Sequence, residues 1–274
     1  MALASALSAS AFAQDAAPAS EHTFTGNVGL VSSYRFRGID QTFSRPALQG
    51  GFDYSHSSGF YAGNWNSNVN EGAGYPQGNL EMDFYGGYKT SFGAFGLDVG
   101  GLYYYYPGSE FSNATLNAKH PGKTANGVVK NGELYVAGSW KFVTLKYSYA
   151  VTDYFKLPET QGTGYLELSA NYDLGDGWGI NGHVGHLFMK DFRYINADGS
   201  SYNGSYTDWK IGATKDINGW VVGASYVGTD AEGKCSNTEF YCFSNSITNA
   251  GTWNGTKTRD AGRNIAVLSL SKTF

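Results

Sequence analysis

The chain has 274 residues, a net charge of −4, a pI near 5.7 and no basic run, which excludes the electrostatic footprint of a nucleic-acid partner. Charged residues fall to 15% while aromatics reach 16%, with 38 Gly and 21 Tyr, unlike a soluble domain with roughly 25% charged residues. No stretch approaches the ~20 consecutive apolar residues of a membrane helix, but the mean hydropathy of −0.34 is compatible with membrane strands, whose alternation averages to a polar value.

In chain order, the first residues are small and apolar and end in Ala11-Phe12-Ala13, an A-x-A pattern that reads as a secretory leader cut after Ala13. Alternation begins directly afterwards. Phe24, Val28, Leu30, Tyr34 and Phe36 share one face of a first strand, which puts Arg35 and Arg37 on the other. Leu48, Phe52 and Tyr54 mark a second strand, then Tyr61, Trp65 and Val69 a third, with Asn64, Asn66 and Asn68 opposite. Leu80, Met82, Phe84 and Tyr88 give a fourth; Phe95, Leu97, Val99, Tyr103 and Tyr105 a fifth. Later sets start at Leu134, Val143, Leu166, Trp178, Trp209, Trp220 and Ala266, for twelve period-two segments in all.

The links between segments sort by parity. After even segments they are tight (SHSSG, SFGA, KFVT, LGDGW, DINGW); after odd ones they are long and polar, the longest being 107–130 and 229–261. Short turns on one side and long loops on the other, with Phe60, Phe92, Phe95, Phe142, Trp178, Trp220 and Phe274 at the level of the turns, match an antiparallel up-and-down barrel crossing a bilayer. Only a closed sheet satisfies its backbone there. The expected organisation is a leader (1–13), a short N-terminal segment (14–22) and one twelve-stranded transmembrane β-barrel (23–274), with periplasmic turns and extracellular loops.

The stretches SYRFRGIDQT, PALQGGFDYSHSSGFYAGNWNSNV, LKYSYAVTDYF, GYLELSANYDLGDGW, YTDWKIGATKDINGWVVGASYVGTDA and the ending VLSLSKTF resemble the TorF family of exported proteobacterial porin-type proteins, also grouped as a conserved hypothetical family. The resemblance implies a Gram-negative outer-membrane barrel and supplies no catalytic residues. Lys272 stands near the end where an aromatic or apolar residue is usual in the outer-membrane sorting pattern.

Phase then assigns an interior face: Arg35, Arg37, Asp53, Asn64, Asn66, Asn68, Glu81, Asp83, Lys89, Asp98, Glu133, Lys146, Glu167, Asp208 and Lys210 as lining residues. Twelve strands lie between eight, which side chains fill, and sixteen, which leave a water channel. Tyr85, Tyr104, Tyr106, Tyr135 and Tyr165 narrow the same face. The reading is a porin-like barrel passing small hydrophilic solutes, with mixed charge and no fixed selectivity. The alternative is a narrow or plugged barrel acting through its loops. The expected partners are outer-membrane lipid and lipopolysaccharide, with monomer and homo-oligomer both open; no cofactor is expected.

An enzyme reading has little to stand on. His56 and Ser58 have the H-x-S spacing of a nucleophile and base, but fall in a tight turn on the periplasmic side. His183 and His186 in HVGH lie on opposite faces of a strand and cannot share a metal. Cys235 and Cys242 in KCSNTEFYC close a short loop as a disulfide in an oxidising compartment; as metal ligands they would supply half a zinc site with no histidine near.

Overall fold

The computed structural model describes residues 20–274, so the expected leader and its cleavage site lie outside the described residues. Twelve antiparallel strands form a closed barrel: β1 (His22–Val31), β2 (Ala47–His56), β3 (Phe60–Asn68), β4 (Leu80–Phe92), β5 (Phe95–Tyr105), β6 (Lys130–Trp140), β7 (Val143–Ala150), β8 (Gly164–Gly175), β9 (Trp178–Phe188), β10 (Tyr206–Ile217), β11 (Trp220–Thr229) and β12 (Ile265–Thr273). Each strand pairs with its sequence neighbours. β1 closes the ring by pairing with β2 on one side and β12 on the other, and Gly26 and Phe274 exchange backbone hydrogen bonds at the seam. The edge that an open sheet would expose is thereby removed.

The connections differ at the two ends. Asp176-Gly177 and Asn218-Gly219 join strands as two-residue turns with both residues at positive φ, the primed geometry that suits strand twist. The opposite end carries long loops with small hairpins at 111–127, 194–202 and 242–260, and the Cys235–Cys242 disulfide. These loops bond to one another: Ser112 N–H donates to Asn249 O, Ala118 N–H to Arg193 O, Trp253 Nε1–H to Gly72 O, and Asn117 Nδ2 to both Pro158 O and Asp191 O. They form a canopy over the mouth.

The outer wall is apolar. Phe24, Phe52, Phe92, Phe95 and Phe274 are each more than half exposed and cluster toward the turn end; Leu30, Leu48, Leu134, Leu145 and Leu268 continue the band. Buried apolar residues gather instead inside the barrel, toward the loop end.

The glycine and tyrosine content has a common cause. Interior tyrosines lie flat across glycines of neighbouring strands: a Cβ added at Gly63 would meet the Tyr85 ring at 2.4 Å, at Gly87 the Tyr61 hydroxyl at 2.6 Å, at Gly100 the Tyr135 hydroxyl at 2.6 Å, and at Gly185 the Tyr165 hydroxyl at 2.1 Å. A narrow barrel fits large rings only where the facing position has no side chain, the same device by which aromatics cover sheet glycines.

Candidate functional site

The first strand stops at Val31, and the segment expected to extend it turns inward. Arg35-Phe36 pairs with Ile39-Asp40 across a two-residue turn, Arg37-Gly38, with φ of 47° and 78°. Tyr34 and Phe36, expected on the lipid face, are 2% and 6% exposed inside the barrel, a correction to the sequence reading. Strict alternation of ring and guanidinium fits the two faces of a hairpin arm as well as those of a spanning strand, and the primed turn at Arg37-Gly38 decides between them. Residues 33–43 cross the interior near the loop end.

Their partners come from around the whole ring. The Tyr34 hydroxyl donates to Glu81 on β4, and the Tyr34 ring meets Trp65 on β3 edge-on at 5.4 Å. Phe36 packs edge-on to Tyr104 of β5 and to Phe155. Arg37 donates from Nη2 to Glu133 of β6 at 2.8 Å and from Nη1 to the Tyr154 hydroxyl at 3.0 Å, and its guanidinium lies 4.2 Å from the centre of the Tyr165 ring on β8. A Cβ at Gly38 would meet Thr229 Cγ2 of β11 at 2.3 Å and Asp208 Cβ of β10 at 2.8 Å, so only glycine brings the hairpin tip this close to the wall. Arg35 donates to Ala261 O and faces Asp40 at 3.5 Å, and Asp40 also accepts from the Ser44 hydroxyl and from Thr42 N–H.

Both arginines carry their charge out of water. Burial lowers the Arg35 guanidinium from its ordinary value to about 10, with Asp40 pulling the other way. Burial acts against the Arg37 charge too, but Glu133 together with Tyr154 and Tyr104 offsets this, and the group titrates above its ordinary value.

The interior wall has two levels. At the hairpin level the side chains are sealed: Glu81 and Asp208 are 0% exposed, and Asp83, Glu133, Tyr104 and Leu187 are buried with them. Asp208 accepts from Tyr165 and bonds to His183. Toward the turn end the interior residues are only half-buried or exposed. Asp53 accepts from Tyr85, Asp98 from Tyr61, and Tyr61 bonds Tyr135. Lys89 lies beside Asp98 in register and 5.7 Å from the Tyr61 ring; Lys146 pairs in register with Glu167 and sits 4.1 Å from the Tyr135 ring; Lys210 faces His183 across β9 and β10. The barrel is a polar cup at one end and packed shut at the other.

The asparagine row is a second correction. Asn64 lies in register between Phe52 and Phe84, both on the outer wall, and Asn68 accepts from the backbone N–H of outward Leu48, so Asn64, Asn66 and Asn68 face outward. Tyr61, Trp65 and Val69, expected outside, face the interior. Taking aromatics as lipid-facing fails on β3, because the tyrosine-on-glycine packing and the hairpin both need rings inside. The asparagine amides donate to backbone oxygens, Asn64 to Asp83 O and Asn66 to Gly50 O, which lowers the cost of facing an apolar medium.

In the β2–β3 turn, the Ser58 hydroxyl lies 2.6 Å from His56 Nδ1, and His56 Nε2 lies 3.3 Å from Glu21. Sequence spacing brought the first two together, but Glu21 was not foreseen. Ser58 N–H also points at the same Nδ1, at 3.1 Å, so the imidazole closes the turn.

A closed ring of twelve antiparallel strands with an apolar aromatic-banded wall and a polar interior is a β-barrel of the outer-membrane type. Residues 15–256 match the profile described as "Bacterial protein of unknown function (Gcw_chp)", and the chain belongs to the Gcw_chp family. That description carries no TorF or porin designation. Among solved structures the fold is similar to the NanC porin, with a TM-score of 0.51 at 11% identity over 92% of this chain and 99% of that one. The KdgM porin in complex with disordered oligogalacturonate gives 0.49 at 7% identity over 92% and 97%, and the COG4313 outer membrane channel from Pseudomonas putida F1 gives 0.44 at 11% over 95% and 100%. At such identities the likeness is one of fold, and only the first score is high enough to carry it. A search among curated proteins finds no match to the chain.

Proposed function

We propose that the protein is a porin-like barrel of the Gram-negative outer membrane whose narrow passage for small hydrophilic solutes is held shut at rest by the hairpin of residues 33–43. The turns face the periplasm and the canopy faces out. Asp53, Lys89, Asp98, Lys146, Glu167 and Lys210 line the path on the open side; their mixed signs favour neither cations nor anions strongly. Glu81, Asp83, Glu133 and Asp208 line it at the shut level. Transport without catalysis accounts for the site: Glu133, Asp208, Asp53 and Asp98 are each bonded to an interior side chain or to the hairpin.

The observation that carries this reading is the Arg37–Glu133 ion pair, 2.8 Å long and buried, which ties a loop to the far wall across the interior. A barrel meant only to be inert could fill its centre with apolar rings; a charged latch on a two-stranded tongue is a contact that can be exchanged for water. Single-channel recording of refolded protein in planar bilayers tests it. Wild type is expected to stay closed with rare brief openings, and a variant with residues 34–43 replaced by a short Gly-Ser link to give steady steps. A steady wide conductance in wild type overturns the closed state. A folded hairpin-less barrel that stays silent overturns the passage and leaves the plugged, loop-acting alternative.

A further inference from the structure

At the turn end of the seam, on the outer face and away from the interior path, three ligand-bearing side chains converge. His22 on β1 and His56 on β2 are directly opposite in register, with ring centres 5.0 Å apart. Glu21 precedes His22, and its carbonyl accepts from Ser57 N–H, which continues the β1–β2 ladder into the turn. One ligand atom from each of Glu21, His22 and His56 lies within 4.8 Å of the other two. The Glu21 oxygen and His56 Nε2, at 3.3 Å, already stand at the edge length of a tetrahedral site, since metal–ligand bonds of ~2.0–2.1 Å place neighbouring ligands about 3.3–3.4 Å apart.

The second ring nitrogens are occupied in a consistent way. His56 Nδ1 bonds the Ser58 hydroxyl at 2.6 Å, and His22 Nδ1 bonds the Tyr54 hydroxyl at 2.9 Å. Metal-bound histidines characteristically have the other nitrogen held by a polar group, which fixes ring orientation and tautomer. These bonds hold both rings in place; a metal at His56 Nε2 requires that ring's proton at Nδ1, donated to the Ser58 hydroxyl in place of the bond from Ser58 N–H. All three residues are solvent-accessible, so an ion has an entry path.

We propose that Glu21, His22 and His56 form a binding site for a divalent transition metal of the zinc class, with water in the fourth position. Two imidazoles and one carboxylate suit such an ion and suit calcium or magnesium poorly, since those prefer all-oxygen cages. Bound metal pins the start of β1 to the β2–β3 turn beside the barrel seam. The site is independent of the interior path, so it stands or falls apart from the proposed passage.

Zinc competition against a chromophoric chelator, on full-length refolded protein without a histidine tag, tests the site. One zinc per chain is expected, weakened at least tenfold by His22→Ala and by His56→Ala, and less by Ser58→Ala, which removes only an orienting bond. Heat-dependent gel mobility, expected unchanged in each variant, shows that the barrel is intact. Zinc held equally by the His22→Ala/His56→Ala double variant, or no zinc bound by wild type in competition with a weak chelator, overturns the proposal.

Discussion

Replacing Glu133 with Ala removes the only carboxylate bonded to Arg37 among the described residues and leaves the guanidinium buried. Breaking a buried ion pair from one side costs about 3–5 kcal/mol, because the remaining charge is uncompensated. The Tyr154 hydroxyl and the Tyr165 ring stay in place and keep the guanidinium partly partnered, so the low end applies. The barrel ladder does not depend on Glu133's side chain, so the strain is relieved by the hairpin leaving its berth and returning Arg37 to water. Three kcal/mol at 1.4 kcal/mol per decade shifts the docked-to-undocked ratio roughly 100-fold. Open probability in bilayer recordings should rise by that order in Glu133→Ala. It should fall back toward wild type in Arg37→Ala/Glu133→Ala, where neither charge of the pair remains and the apolar contacts of Phe36 persist. An open probability within twofold of wild type for Glu133→Ala, with the barrel folded, refutes the latch.

Gly38→Ala should open the same gate by a different route, since the new methyl collides with Thr229 and the backbone sits at φ 78°; recordings should show more frequent openings with thermal stability of the barrel unchanged. Asn66→Leu should leave conductance unaltered and raise the thermal midpoint slightly, because the side chain faces the outer wall; a changed conductance would return it to the interior. Gly185→Ala should cost about 1–3 kcal/mol by forcing the Tyr165 ring off its seat, read as a lower denaturation midpoint. Reduction of Cys235–Cys242 releases a short loop, worth about 2–3 kcal/mol in loop-closure terms, and should speed proteolysis within 230–264 while leaving strand content by circular dichroism the same.

Much of the architecture was legible because a bilayer enforces a simple code. Leu134, Leu145, Leu166 and Leu268 point outward as alternation predicts, and the parity of link lengths reads out the two ends of the barrel. The disulfide followed from spacing and compartment. What escaped was whatever alternates for another reason. Tyr34 to Arg37 alternates as an arm of a hairpin, and the signal that separates the two cases is Arg37-Gly38 followed by Asp40, whose carboxylate caps Thr42 and Ser44 N–H groups in a tight loop. On β3 the rule that rings face lipid gave the wrong phase, because Tyr61 is claimed by Gly87, Asp98 and Tyr135 and Trp65 by Tyr34, partners distant in sequence. Such pairings are tertiary, and a single strand carries no trace of them. Glu21 beside His56 escaped for the same reason: the approach depends on β1–β2 register.

The central claim is that residues 33–43 occupy the interior rather than the wall. Both native cysteines are joined in a disulfide, so a single introduced thiol can be probed without background. Phe36→Cys in folded protein should resist a membrane-impermeant maleimide applied from either side, and become reactive when Glu133→Ala is added. A control at exposed Asp198→Cys should label at once. Labelling of Phe36→Cys as fast as the control, in the otherwise wild-type barrel, would contradict the account.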